Sequence, residues 1–287
     1  MQVRKRNGSL GPANVNKIVR AVERSCGGLE YVDPLRIASR TIGGLFHGAS
    51  TKELDLLSIQ TAASLIAEEP EYSTLAARLL LGVIDKEVAN QDIYSFSQSV
   101  TLGKQQGLIS EDLAKFVSEN SRNLNDAIEN RNSDVFEYFG LRTVYDRYLL
   151  RNPGTRDVLE TPQYFFLRIA CVLSRGVQEA IEFYRLLSGH DYTPSSPTLF
   201  NSGTRHPQMS SCYLLDSPAD NLEAIYDKYK FFCGRAAACF RGSPPAPTGC
   251  SVMKALTFDS PSRRFGRFEC KSPESLIRKW KDESRKC

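Results

Sequence analysis

The sequence predicts a mainly α-helical protein, and three observations predict it. Apolar residues recur at helical spacing through the first ninety positions, capping patterns open those runs, and residues 91–192 continue in amphipathic stretches ended by glycine. Only Cys212-Tyr-Leu-Leu215, after a loop rich in Gly, Pro and Ser, reads as a short buried strand.

Composition sets the outer limits. The chain has 287 residues, 41% hydrophobic and 24% charged, which is ordinary globular usage with room for two or three domains. Its longest apolar runs, such as Leu79 to Ile84, are far too short to cross a bilayer. Met1 to Gly8 is charged with no apolar core after it, which argues against a secretory signal. A cytoplasmic protein with no membrane partner is therefore expected. The net charge of +4 is uneven: residues 231–287 hold 12 Lys/Arg against 5 Asp/Glu and five of the eight cysteines. Cys26, Cys171 and Cys212 alone in the main body suit a reduced enzyme better than a disulfide scaffold.

In chain order, Val3-Arg-Lys-Arg-Asn-Gly8 ends in a turn dipeptide and predicts a short strand and hairpin. Asn14 is positioned to cap a helix with Val15, Ile18, Val19, Val22 and Cys26 on its apolar face. Ser50-Thr-Lys-Glu53 is a capping box that opens the next helix, which buries Leu54, Leu57, Thr61 and Leu65 and ends before Pro70. A third helix begins near Ser73 and carries Leu75, Leu79 and Val83. The basic arm Lys5, Arg6 and Lys17 has two readings, a solvated charged face or a polyphosphate site built from converging donors.

Further on, Ser110-Glu-Asp-Leu starts a helix with acids in its first turn, as the helix dipole favours. Arg151-Asn-Pro-Gly154 is a turn, and Val177 to Leu187 is amphipathic with Gly189 at its end. Tyr138, Phe139, Tyr145, Tyr148 and Phe165 are assigned to the core, and His190 and His206 to loops. Ser196-Pro-Thr-Leu-Phe-Asn-Ser-Gly203 reads as a turn and loop delivering Cys212 to the start of the strand, facing a site. On residues alone that cysteine is either a small buried hydrophobe or a redox thiol.

Several motifs in order decide between such alternatives. Val-x-Lys-Arg-x-Gly, Asn-x-x-Lys-Ile, a Thr-opened helix and Ala76-Ala-Arg78-Leu resemble the ATP-cone, a nucleotide-sensing module. Thr161-Pro-Gln-Tyr-Phe-Phe-Leu-Arg168, the Ser196–Gly203 stretch, Ser210-Ser-Cys-Tyr-Leu214 and Asp220-Asn-Leu-Glu-Ala-Ile-Tyr226 follow. Together they resemble the large (α) subunit of class I ribonucleoside-diphosphate reductase, from residue 1 to about 230.

The resemblance implies an ATP-cone over residues 1–92, a helical domain over 93–192, the first part of a ten-stranded α/β barrel over 193–230, and a divergent irregular tail over 231–287. It implies that Val3, Lys5, Arg6, Asn14, Lys17 and Thr51 hold ATP or dATP as allosteric effectors; Gly11 and Asp55 depart from the acidic residue and histidine often found there. It implies reduction of ribonucleoside diphosphates by a radical passed from a small β subunit, where the metal radical cofactor resides, this chain holding no metal. Cys212 matches the first member of the redox cysteine pair, re-reduced by a thioredoxin- or glutaredoxin-type protein. Thr198 and Ser211 match substrate-binding positions. Asp220, Asn221 and Leu222 match the specificity site for a deoxynucleoside triphosphate, at the interface with a second α chain.

The resemblance stops after Lys230. The tail has no recognisable radical cysteine, catalytic Asn and Glu, second redox cysteine or radical-carrying tyrosines. Its cysteine gaps are unlike Cys-x-x-Cys and it has no histidine, which argues against zinc. A shifted reading frame and a split gene whose tail docks on a separately encoded barrel remainder both account for it. Nucleic-acid binding has only charge and a single Trp behind it, and a solvated tail is preferred. Without the rest of the barrel this chain is expected to lack turnover and to behave poorly near residues 193–230, where unpaired backbone would be exposed. The alternative is a stand-alone ATP/dATP-binding regulatory protein.

Overall fold

The computed structural model describes residues 2–4, 9–12, 15–44, 48–129, 133, 135–212 and 216–229. The chain enters through a hairpin: β1 (Gln2–Arg4) pairs antiparallel with β2 (Leu10–Pro12), placing Val3 opposite Gly11. Helix α1 (Val15–Ser25) follows where the apolar spacing puts it, with Val22 buried; Asn14 lies outside the described residues.

Helix α2 (Pro34–Gly43) has no counterpart among the expected elements. Its signal is local: Asp33 accepts hydrogen bonds from the Leu35 and Arg36 amides, and Pro34 occupies the first turn. Helix α3 (Thr51–Ser64) opens on the expected capping box. The Ser50 hydroxyl accepts from the Glu53 amide at 3.1 Å while the Ser50 amide donates to the Glu53 carboxylate at 2.7 Å. That bonding from Ser50 holds the Glu53 carboxyl below its usual range. Leu54, Thr61 and Leu65 are buried as expected, whereas Leu57 is only half-buried.

Helix α4 (Glu71–Ala89) organises the described fold because it is apolar on two sides. Tyr72, Leu75 and Ala76 pack with Val22, Ile37, Ala62 and Leu65 in one cluster. Ala77, Leu80, Val83, Ile84 and Val88 belong to a larger cluster that runs through the rest of the chain. A helix buried on both sides loses one face of its polar pattern, so each core draws on the same nineteen residues.

The larger cluster is closed by short helices: α5 (Phe96–Gln105), α6 (Glu111–Glu119), α7 (Ser121–Asp126) and α8 (Tyr138–Thr143). A single π turn, Val144–Tyr148, continues α8. Helices α9 (Pro162–Leu173) and α10 (Val177–Ser188) pack on each other, α9 capped by Thr161 and started by Pro162, α10 ended at Gly189. Ser110 caps α6 through the Leu113 amide.

Tyr145 and Phe165 are buried and Tyr138 and Tyr148 half-buried, but Phe139 is 68% exposed, on the outer face of α8 beside Tyr138. No helix among the described residues is long and apolar enough to cross a membrane. The described sheet is the two-stranded hairpin, and no barrel strand occurs within residues 193–212 or 216–229. Of the strand expected over residues 212–215, positions 213–215 lie outside the described residues, as does the tail.

Candidate functional site

Two groups of candidate residues were expected, one near the N-terminus and one after residue 196. In the first, β1 is laid against the start of α3. The Arg4 amide donates to the Ala49 carbonyl at 2.9 Å, the Gly48 amide to the Gln2 carbonyl at 2.9 Å, and Arg4 bridges to Ser50. Val3, buried within β1, and Thr51, at the first turn of α3, each adjoin one residue of that bridge. Lys17 lies on the exposed side of α1; Lys5, Arg6 and Asn14 lie outside the described residues.

Two lysines missed by sequence reasoning flank this corner. Lys86 Nζ pairs with the Asp55 carboxylate at 3.0 Å. Lys52, next to Thr51, reaches Glu87 at 2.8 Å and Asp157 at 3.3 Å. Partial burial pulls the Lys52 ammonium down, but its bonds to Glu87 and Asp157 outweigh this and hold its pKa above the ordinary value. The Lys-x-x-x-Asp-type spacing that would betray such pairs is absent, since each joins residues far apart in the chain.

The second group is built around helix α11 (Ser196–Asn201), a correction to the loop expected there. Pro197 suits a first helical turn, and Leu199 and Phe200 drop onto the larger core, which turns the loop residues into one buried helical turn. Thr198 is buried with its hydroxyl donating to the Met209 carbonyl at 3.4 Å. Asn201 Nδ2 donates to the Gln208 carbonyl at 2.6 Å, and the Ser202 hydroxyl to the Thr198 carbonyl at 2.6 Å.

A buried ion pair clamps this turn from below. Arg168, fully buried on α9, makes a two-pronged contact with Glu160, Nε and one terminal nitrogen each 2.9 Å from a carboxylate oxygen. Its remaining nitrogen donates to the Ser202 carbonyl, and Glu160 also accepts from the Leu150 amide at 2.9 Å. Such geometry satisfies both charges where water is excluded. From the other side the Ser110 amide donates to the Gly203 carbonyl at 2.9 Å and the Arg205 amide to the Leu108 carbonyl at 3.1 Å. Arg168 stood in a quoted motif without a role; an arginine inside the apolar run Phe165-Phe-Leu-Arg-Ile-Ala170 was the available signal.

The burial expected of Cys212 is not found, and the rest of the strand expected to begin there, residues 213–215, lies outside the described residues. Cys212 is exposed, outside any helix or strand, with the Ser211 hydroxyl 3.8 Å from its sulfur. The physical reason is that the chain leaves the packed surface after Met209, and none of the described residues covers it again. Asp220, Asn221 and Leu222 are also exposed. Asn221 accepts from the Ala224 amide at 2.8 Å and so opens a helix over residues 222–229. Thr198 and Met209 are thus brought together, while Ser211, Cys212 and the Asp220–Leu222 group stand apart in solvent.

Comparison with known proteins bears on both groups. Residues 1–87 match the ATP cone domain family, and residues 134–207 match the all-alpha domain of ribonucleotide reductase. The ribonucleoside-diphosphate reductase large chain 2 of Saccharomyces cerevisiae is 36% identical over 239 residues, 80% of this chain and 27% of the relative. The chain is similar to the N-terminal part of ribonucleotide reductase large subunits. The large subunit of Danio rerio is also 36% identical, over 80% of this chain and 30% of its own length. That of vaccinia virus is 35% identical, over 80% and 31%. The chain spans about a third or less of the length of these reductase relatives. In a reductase frame the first corner falls in the cone and the α11 turn at the end of the all-alpha match.

Proposed function

We infer that this chain contributes the nucleotide-sensing cone and one wall of the substrate site to a cytoplasmic enzyme that reduces ribonucleoside diphosphates to 2′-deoxyribonucleoside diphosphates. The observation that carries this reading is the buried α11 turn: Thr198 is buried with its hydroxyl on the Met209 carbonyl, and the satisfied Arg168–Glu160 pair holds the Ser202 carbonyl at the end of the same turn. A clamped turn of this kind keeps hydroxyl and amide groups in fixed positions, as recognition of a diphosphate or ribose needs.

In this reading residues 1–92 are the cone, 93–192 the helical domain and 193–230 the beginning of the barrel. Val3, Lys5, Arg6, Asn14, Lys17 and Thr51 hold ATP or dATP. The Ser50 and Glu53 amides at the start of α3 are engaged in the capping box, which removes those two from phosphate binding and leaves the basic side chains as the main donors. Thr198 and Ser211 meet the substrate, and Asp220, Asn221 and Leu222 meet a deoxynucleoside triphosphate beside a second α chain. Cys212 and a second thiol supply two electrons and two protons, the 2′ hydroxyl leaves as water, and a disulfide remains for a thioredoxin- or glutaredoxin-type reductant. The radical comes from a small β subunit.

The test is reconstitution of the full chain with the small subunit, a reductant and a fragment supplying the remaining barrel. Dithiol-dependent formation of deoxynucleotide is expected, and Cys212→Ser is expected to abolish it. Full dithiol-dependent activity in that variant overturns the reading.

A further inference from the structure

The cone corner and the α11 turn are far apart in sequence, yet one chain of contacts, buried at Glu87 and Tyr145, joins them. Lys52 follows Thr51 in the first turn of α3 and gives its ammonium to Glu87, whose side chain is 3% exposed. The Tyr145 hydroxyl donates to that same carboxylate at 3.1 Å, and the Val158 amide approaches it at 3.5 Å. Burial and the neighbouring Glu87 charge push the Tyr145 phenol up, so it stays a donor. Tyr145 lies in the π turn, where Arg151 stacks on its ring at 4.5 Å and donates to its carbonyl at 2.5 Å. Three residues on in the same turn, Tyr148 stacks on Phe200 at 4.6 Å and its hydroxyl lies 3.1 Å from Ser196 Oγ. Phe200 and Ser196 flank Thr198 on α11.

We propose that the π turn Val144–Tyr148 couples the cone to the substrate turn: an anionic nucleotide at Thr51 draws Lys52 off Glu87, and the turn passes that change to α11 through Tyr148. The inference rests on the reading of Thr51 and Thr198 as nucleotide and substrate contacts. Its physical basis is the buried carboxylate. Lys52 is the cation in contact with Glu87, and an anion bound one residue away competes for it. Among the described residues Glu87 then keeps the Tyr145 hydroxyl and the Val158 amide as donors, and Tyr145 belongs to the π turn. A π turn closes wider rings than an α turn and recurs where helices must adjust. Because Tyr145 and Tyr148 share that one turn, neither can shift without the other. Tyr148 is here a positioning residue, acting on Thr198 through α11.

Hydrogen exchange on the full chain reads this directly, because the amides of Leu199, Ser202 and Thr204 are bonded within the turn. Saturating ATP is expected to speed their exchange roughly five- to tenfold, a coupling of ordinary size. Glu87→Gln is expected to speed the same amides without nucleotide and to leave no further response to ATP. Tyr148→Phe should keep ATP affinity while cutting the response at α11. Arg36→Gln, which breaks the Arg36–Glu68 pair elsewhere in the same domain, is the control and should change none of these rates. If Glu87→Gln does not fold, Lys52→Met, at a half-exposed position, makes the same comparison. Wild-type exchange at 199–204 in the Glu87 or Lys52 variant overturns the coupling, whether or not ATP binds. Calorimetry showing no ATP binding to the wild-type chain overturns the cone reading separately.

Discussion

Residues 197–204 are buried without exception, whereas none of the described residues from 205 to 229 is. Thr198 and Cys212, both assigned to one substrate site, stand on either side of that line. The buried side is fixed by its own chain, through Arg168, Ser110 and the α11 backbone. The exposed side carries Leu222, Ile225, Tyr226 and Tyr229 at helical spacing, each 47% exposed or more. Apolar residues on one helix face facing water mark a surface that is stable when covered. One half of the candidate site is therefore preorganised within this chain, and the other takes its geometry from whatever packs on it.

The difference is sharpest in thiol chemistry. Burial pushes the Cys171 thiol, on α9, up to about 12, while Cys212 is exposed. Iodoacetamide at neutral pH should label Cys212 in the native chain on the order of a thousandfold faster than Cys171, since the thiolate is the nucleophile. A peptide mass-spectrometric time course checks this. Comparable rates would mean that the two regions are not distinct.

Stability gives the next largest contrast. Arg168→Met leaves Glu160 buried without its cation and should cost about 3–5 kcal/mol in a urea titration. Ser211→Ala, on the exposed side, should stay within about 0.5 kcal/mol. Changing Glu160 and Arg168 together to Gln and Met should recover part of the loss, because no lone charge remains. A loss below about 1 kcal/mol for Arg168→Met would show that the pair does not hold the turn.

How much of this was legible beforehand follows the range of each interaction. The hairpin, the α3 capping box, the α6 start and the Gly189 stop are local patterns, and each stands where its residues put it. Helix α2 carried an equally local cap at Asp33-Pro34 that was overlooked. The α11 turn was misread because its helicity comes from Leu199 and Phe200 meeting a core built by distant residues. Phe139 was misassigned for the converse reason: an aromatic side chain says nothing of which face of α8 it occupies. The Glu87 and Glu160 networks join residues separated by 8 to 71 positions, and no spacing rule reaches them. Motif order did reach the family, because it depends on sequence alone.

A smaller effect tests how tightly the buried side is packed. Gly203 has φ +74, and a Cβ there would sit 2.3 Å from Leu113 Cδ2 and 3.2 Å from Val172 Cγ2. Gly203→Ala should cost about 1–3 kcal/mol through strain and overpacking. The same unfolding titration measures it, and a neutral result would mean that the turn has slack.

The smallest effect comes from pH. His190, just after α10, sits with its ring 4.5 Å from Phe136 and 5.9 Å from Phe166, and burial lowers its pKa. A histidine that is harder to protonate when folded supports the native state above its unfolded pKa, about 6.5. That contribution is lost as the pH falls through the lower folded value, since the unfolded chain then binds the proton better. Glu53 and Glu68, whose carboxyls are lowered by their partners Ser50 and Arg36, lose their contributions only below about 4.5. Between pH 7 and pH 5 the melting temperature should therefore fall with His190 as a main contributor. His190→Asn tolerates the positive φ of 63 found there and should flatten that slope. An unchanged slope in the variant would place the proton uptake elsewhere and leave the rings around His190 without an electrostatic role.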